Sequence, residues 1–233
     1  MERTYEKEVI SMVKIVRYFL LFFISNLIYS ESIESGKTVI ANESMVVTRH
    51  YLASKVGNEV LLAGGNAIDA SVAISFALSV VLPQASPIGG GGFMVIHEAE
   101  TGENFTIDYR EMAPEKATED MFIVNGEVDR SLALESYLSS GVPGTVYGLY
   151  LAHQKFGKLP WKELIKPAIK LAIDGFDITP TLANSINTYK DKLSKTDDGK
   201  DIFFRNGESL MAGDLLVQKD LGETLTLISK KGP

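Results

Sequence analysis

The chain has 233 residues, 45% of them hydrophobic and 23% charged, which suits one or two globular domains and excludes a disordered, collagen-like or many-span membrane protein. Thirty acidic against 23 basic side chains give a net charge of -7, which argues against a surface that neutralises nucleic-acid phosphates. No cysteine is present, so disulfide scaffolds, thiolate zinc sites, iron–sulfur ligation and a cysteine nucleophile are excluded together.

The first thirty residues read as an address. Residues 18–29 (YFLLFFISNLIY) are almost wholly apolar, follow Lys14 and Arg17, and give way to Ser30, Glu31 and Ser32. As a helix this stretch rises only about 18 Å, short of the roughly 30 Å of a hydrocarbon core. A positive start, a short apolar stretch and a small residue at Ser30 fit an export signal over residues 1–30, and a start at Met12 would give it a more usual length. The expected location is therefore periplasmic or extracellular, with anchoring by the same apolar segment as the alternative. Residues 31–233 then form the folded part.

Residues 39–48 are predicted to be extended. Leu52, Val56, Val60 and Ala63 fall at helical spacing, and Gly64-Gly65 supplies a stop. Asn66 can cap a second helix, with Asp69 three residues on, and the apolar run that follows predicts a helix buried on most sides until Pro83 ends it. Four glycines, Gly89, Gly90, Gly91 and Gly92, precede a predicted buried strand at 93–97. A turn at 100–103 and a second strand at 104–108 follow, suggesting a sheet covered by helices. After a polar stretch broken by Asn125-Gly126, helices are predicted from Gly144 to Gly157, from Pro160 to Gly175, from Thr179-Pro180 onward and over 221–229. Pro167 inside the second of these is expected to kink or divide it. The final Gly232-Pro233 reads as a junction, and the chain as a piece of something longer.

The glycine run is no phosphate loop, since no Lys-Ser/Thr follows it, and no dinucleotide fingerprint, since a strand follows where a helix should begin. Glycines at that conformational cost serve close approach of a ligand or of another chain segment. Asp108-Tyr109-Arg110-Glu111 lies where the second strand runs out, a common place for binding groups. The planar fork of Arg110 can hold a carboxylate by two parallel hydrogen bonds, with Asp108 and Glu111 orienting it or meeting a substrate ammonium. A structural ion pair of Arg110 with a neighbour is the alternative. The histidines His50, His97 and His153 are far apart in sequence, and Thr101 stands where a His-Glu-x-x-His motif starting at His97 needs its second histidine, so no metal and no cofactor are expected. Gly141-Val142-Pro143-Gly144 is a turn feeding a helix whose free amides could greet an anion.

Taken in order, Leu52-Ala53-Ser54, Gly64-Gly65-Asn66-Ala67 with Asp69-Ala70, the glycine run with Phe93-Met94, Asp108-Tyr109-Arg110-Glu111 with Ala113-Pro114, Asp120-Met121-Phe122 and Gly141-Val142-Pro143-Gly144 resemble the large-subunit half of γ-glutamyltransferase (γ-glutamyltranspeptidase, glutathione hydrolase). The resemblance runs from about residue 39 to 233. It implies an α+β fold, the αββα sandwich of N-terminal-nucleophile hydrolases, here incomplete, from a precursor that cuts itself into a large and a small subunit. The threonine exposed by the cut attacks a γ-glutamyl amide, its own α-amino group acting as base, and the glutamyl group passes to water, an amino acid or a peptide. The resemblance places on Arg110 the grip on the α-carboxylate of the glutamyl group. For the glycine run it implies no ligand role, and close backbone packing remains the reading.

The nucleophilic threonine of the family is followed by a second threonine, and no Thr-Thr pair occurs in this chain. The glycines that stabilise the tetrahedral intermediate likewise belong to the small subunit. No catalytic residue is therefore expected within these residues, and by themselves they should be inactive and poorly soluble, with sheet edges and apolar faces uncovered. Two other readings remain: a non-catalytic secreted remnant or binding module, and an acylase of the same fold with a different amide substrate.

Overall fold

The structure is a computed structural model that describes residues 39–233, so the export signal expected over residues 1–30 lies outside the described residues. Helix α1 (Tyr51–Leu62) starts where the ring Nδ1 of His50 accepts the amide of Leu52 at 3.3 Å. It stops where the amides of Gly64 and Gly65 return to the carbonyls of Leu61 and Val60. Helix α2 (Ala67–Val81) opens on a reciprocal box. Asn66 Oδ1 accepts the amides of Ile68 and Asp69, and Asp69 Oδ2 accepts the amide of Asn66, each at 3.0 Å. Ten of its fifteen residues are buried, as a helix apolar nearly all round requires, and it packs against α1, α4 and α5.

Strands β1 (Phe93–Glu98) and β2 (Glu103–Asp108) form an antiparallel hairpin in register Phe93↔Asp108 to Glu98↔Glu103. Ile96, Met94, Phe105 and Ile107 face the core. Val95 is 79% exposed and Phe93 63%, so β1 is buried on one face only and not throughout, because no second layer covers the other face among the described residues. The hairpin carries helices on its other face, in a helix-rich layer with few strands. A short hairpin of β3 (Ile123–Val124) and β4 (Glu127–Val128) follows, then α3 (Arg130–Glu135) and a single 3₁₀ turn. The remaining strand pairs are two residues deep: β5 (Phe176–Asp177) with β8 (Leu215–Leu216), and β6 (Phe204–Arg205) with β7 (Glu208–Ser209). Residues 39–48 carry the β-branched side chains of a strand but pair with no strand among the described residues, and Ile40 and Val47 lie exposed. A strand needs a neighbour to satisfy its amides.

The helical layer is completed by α4 (Thr145–Phe156), α5 (Trp161–Asp174), α6 (Pro180–Thr188), α7 (Lys190–Leu193), α8 (Asp197–Phe203) and α9 (Lys219–Lys231). Thr179 caps α6 with Pro180 in its first turn, as the cap-then-proline pattern predicts. Pro167 does not divide α5, which runs on to Asp174. The lost hydrogen bond is outweighed by the face that α5 buries, Leu164, Ile165, Ala168 and Ala172, each large apolar side chain contributing about 1.5–3 kcal/mol. Trp161 meets Phe76 edge to face at 5.5 Å, and its indole N–H donates to the carbonyl of Ile228 at 3.2 Å, which ties α2, α5 and α9 together.

His50 links this fold to pH. Its ring is buried between Tyr51 and Phe176, and its Nε2 has no hydrogen-bond partner among the described residues. Burial holds the imidazole below its ordinary value. Only the neutral ring can accept the amide of Leu52 at Nδ1, and a cation at a helix N-terminus opposes the dipole. The unfolded chain therefore binds the proton more readily, so this contribution is complete above about pH 6.5 and is lost as the pH falls through the lower folded value. Melting temperatures should drop between pH 7 and 5, and His50→Asn, which keeps a cap, should flatten that slope. An equal slope in both proteins would assign the acid sensitivity to other groups.

Candidate functional site

The hairpin continues one pair beyond β2. Tyr109 and Gly92 exchange both backbone hydrogen bonds, at 3.0 and 3.3 Å, and Arg110 then leaves the sheet. Asp108 Oδ1 accepts the amide of Arg110 at 3.0 Å. Asp108 thus orients the backbone at Arg110 and not its guanidinium. Glu111 Oε2 lies 3.8 Å from Arg110 Nε, with the Arg110 side chain 70% exposed. An exposed pair at that distance contributes at most about 1 kcal/mol, so the fork is not committed to a structural partner. Beyond Glu111, Met112 and Val142 exchange hydrogen bonds at 3.3 and 2.8 Å, which joins the segment to the turn before α4.

A cavity of about 420 Å³ opens beside Arg110, walled by Glu111, Met112, Pro114, Met121 and Leu138. A larger one, about 530 Å³, is lined by Ser194, Lys200, Asp201, Phe204 and Arg205, residues remote in sequence from the hairpin end. There Arg205 spends its Nη1 on the carbonyl of Phe204 at 3.1 Å. The Arg110 cavity is the better binding candidate because its cation is 70% exposed and meets Glu111 only at 3.8 Å among the described residues.

The glycine run packs against the same segment. Gly90 accepts the amides of Gly144 and Thr145 at 2.9 and 3.0 Å, so the two amides that open α4 are spent within the protein. A Cβ on Gly91 would stand 2.6 Å from both the amide of Glu111 and the carbonyl of Tyr109. Close approach of another chain segment therefore accounts for Gly91. The histidines lie apart: His97 Nδ1 meets Asn104 Oδ1 across the hairpin at 2.9 Å, and His153 Nε2 meets the carbonyl of Leu159 at 2.7 Å. No group of three or more His, Asp or Glu side chains suited to a metal ion occurs among the described residues. None of the described helices is long and apolar enough to cross a membrane.

Two residues carry more than the sequence suggests. Asp69, read as a first-turn acid, is fully buried and also accepts the amides of Lys158 and Leu159, at 3.0 to 3.3 Å, pinning the α4–α5 turn to the start of α2. Only its place in the capping box hinted at it. Tyr109 had no signal beyond its place next to Arg110.

Comparison with known proteins agrees with this layout. The family model Gamma-glutamyltranspeptidase matches residues 53–233. The chain is 49% identical over 195 residues to the glutathione hydrolase proenzyme of Bacillus subtilis strain 168, covering 83% of this chain and 33% of that protein. It is 45% identical over 197 residues to the Escherichia coli K12 glutathione hydrolase proenzyme, covering 84% and 34%. The chain thus spans about a third of the length of these relatives. Among solved structures, Helicobacter pylori gamma-glutamyltranspeptidase superposes with a TM-score of 0.80 at 45% identity, covering 84% of this chain and 56% of that one. The helix-rich layer with few strands is accordingly part of an N-terminal-nucleophile hydrolase fold. With the motifs in order, a matching fold and a family model spanning residues 53–233, this chain belongs to the γ-glutamyltranspeptidase family.

Proposed function

We propose that this chain is the N-terminal part of the large subunit of an exported enzyme that transfers or hydrolyses the γ-glutamyl group of glutathione and related compounds. The observation that carries this reading is an uncommitted guanidinium, that of Arg110, beside a cavity at the end of a braced hairpin, in a chain 49% identical to a glutathione hydrolase proenzyme. Arg110 holds the α-carboxylate of the glutamyl group and fixes the γ-amide for attack. A threonine hydroxyl from the small subunit adds to that carbonyl while its own α-amino group takes the proton, and the amine leaves with a proton returned. Water, an amino acid or a peptide then resolves the glutamyl ester. Residues 1–30 direct export, and residues 31–233 supply the helical layer and substrate clamp. The uncovered face of the hairpin, with Val95 and Phe93 outermost, suits packing by the polypeptide that completes the sandwich.

A precursor continued past Pro233 to the length of its relatives is expected to separate into two polypeptides and to release glutamate from glutathione. Residues 31–233 alone should release none. Turnover by residues 31–233 alone would overturn the assignment of the nucleophile to the missing part. A self-cleaved protein that hydrolyses a glutaryl amide but not glutathione would replace the substrate with that of an acylase.

A further inference from the structure

We propose that Tyr109 is the positioning residue for Arg110, its ring locked between Gly92 and Gly148 so that the guanidinium leaves the hairpin in one direction. The inference rests on the reading of Arg110 as the carboxylate clamp and adds the element that aims it.

Arg110 is weakly held by its own side chain, which is exposed and, among the described residues, meets only Glu111 at 3.8 Å. Its direction must therefore come from the backbone around it. Tyr109 pairs with Gly92 in the last hydrogen-bonded pair of the hairpin. Their side-chain positions share one face, and the empty position at Gly92 lets the tyrosine ring lie across the strand. A Cβ there would stand 2.9 Å from ring Cε2 and 3.1 Å from both Cζ and Oη. The root of the ring meets α4, where a Cβ on buried Gly148 would overlap Cβ and Cγ of Tyr109. One turn earlier a Cβ on Gly144 would strike the carbonyl of Tyr109 and stand 3.2 Å from that of Arg110. Strand and helix glycines thus form a slot that fits this ring and little more. Partial burial of the phenol, which raises its pKa, agrees with a ring packed against protein. No hydrogen bond is made by the hydroxyl among the described residues, so the ring itself is the anchor.

The test uses the self-cleaved, full-length enzyme with glutathione as substrate. Tyr109→Phe should behave as wild type. Tyr109→Ala should raise KM about tenfold with kcat little changed, because a misaimed clamp weakens binding without touching the attacking group. Gly148→Ala, which drives a methyl into the ring, should shift KM in the same direction. The double variant Tyr109→Ala/Arg110→Ala should be no worse than Arg110→Ala, since Tyr109 acts through Arg110. Should Tyr109→Ala fail to self-cleave, Tyr109→Leu takes its place with the same expectation. An unchanged KM in the alanine or leucine variant, or additive losses in the double variant, would overturn the positioning role while leaving the clamp intact. If Arg110→Ala itself leaves KM unchanged, the functional reading fails first and the inference with it.

Discussion

Replacing Arg110 with alanine is expected to raise KM for glutathione about a hundredfold in the self-cleaved enzyme while kcat changes by only a few fold. The magnitude follows from two charge-assisted hydrogen bonds to a carboxylate, together about 3 kcal/mol once the cost of stripping water is included. Stability should hardly move, since the side chain is 70% exposed and its ionic neighbour Glu111 is 3.8 Å away. The melting temperature and the extent of self-cleavage therefore serve as controls, and the loss should sit in binding alone. Arg110→Lys restores the charge but not the planar fork and should recover only part of the affinity, leaving KM about tenfold high. An alanine variant with wild-type KM would place the carboxylate elsewhere, whatever the family likeness.

Much of the helical layer was legible because helix ends are written locally. The side chains that cap α2 and α6 sit within three residues of the amides they satisfy, and the glycines that stop α1 and α5 follow their last turns. The strands were legible in position but not in burial. Whether Phe93 and Val95 face a second layer depends on chain that contributes no local signal. For the same reason the extended segment 39–48 pairs with no strand among the described residues, since β-branched residues mark a willingness to pair, not a partner. At the site, the residues left Arg110 open between a clamp and an ion pair. The long, exposed contact to Glu111 weakens the second option, and the proposed function takes up the first. The glycine run was conspicuous, but its cause was not: Tyr109 meets Gly92 from 17 residues away and Gly144 meets Gly90 from 54, and no periodicity reports such meetings.

Asp69 illustrates the same limit and carries the largest expected effect on stability. Its carboxylate is fully buried and accepts the amide of Asn66 at 3.0 Å from its own helix start, and the amides of Lys158 and Leu159 from the turn after α4. Asn66 reinforces the junction, donating its side-chain amide to the carbonyl of Phe156 at 2.6 Å. In Asp69→Ala three amide groups lose their acceptor where water has little access, at about 1–3 kcal/mol each for a fully buried donor. A total of about 4 kcal/mol is expected, a third or more of the stability of a typical domain. Asp69→Asn keeps one oxygen acceptor and should cost roughly half as much, so the pair of variants separates hydrogen bonding from loss of volume. Urea unfolding of the full-length protein should show the midpoint falling with the slope unchanged. Because α4 holds Gly90 at one end and the Asp69 junction at the other, loosening that junction frees the helix that seats Tyr109. Asp69→Asn should therefore raise KM for glutathione modestly at temperatures well below its own transition. A large stability loss with KM unmoved would show that α4 is held at its Gly90 end alone, and that Asp69 serves the fold without reaching the clamp.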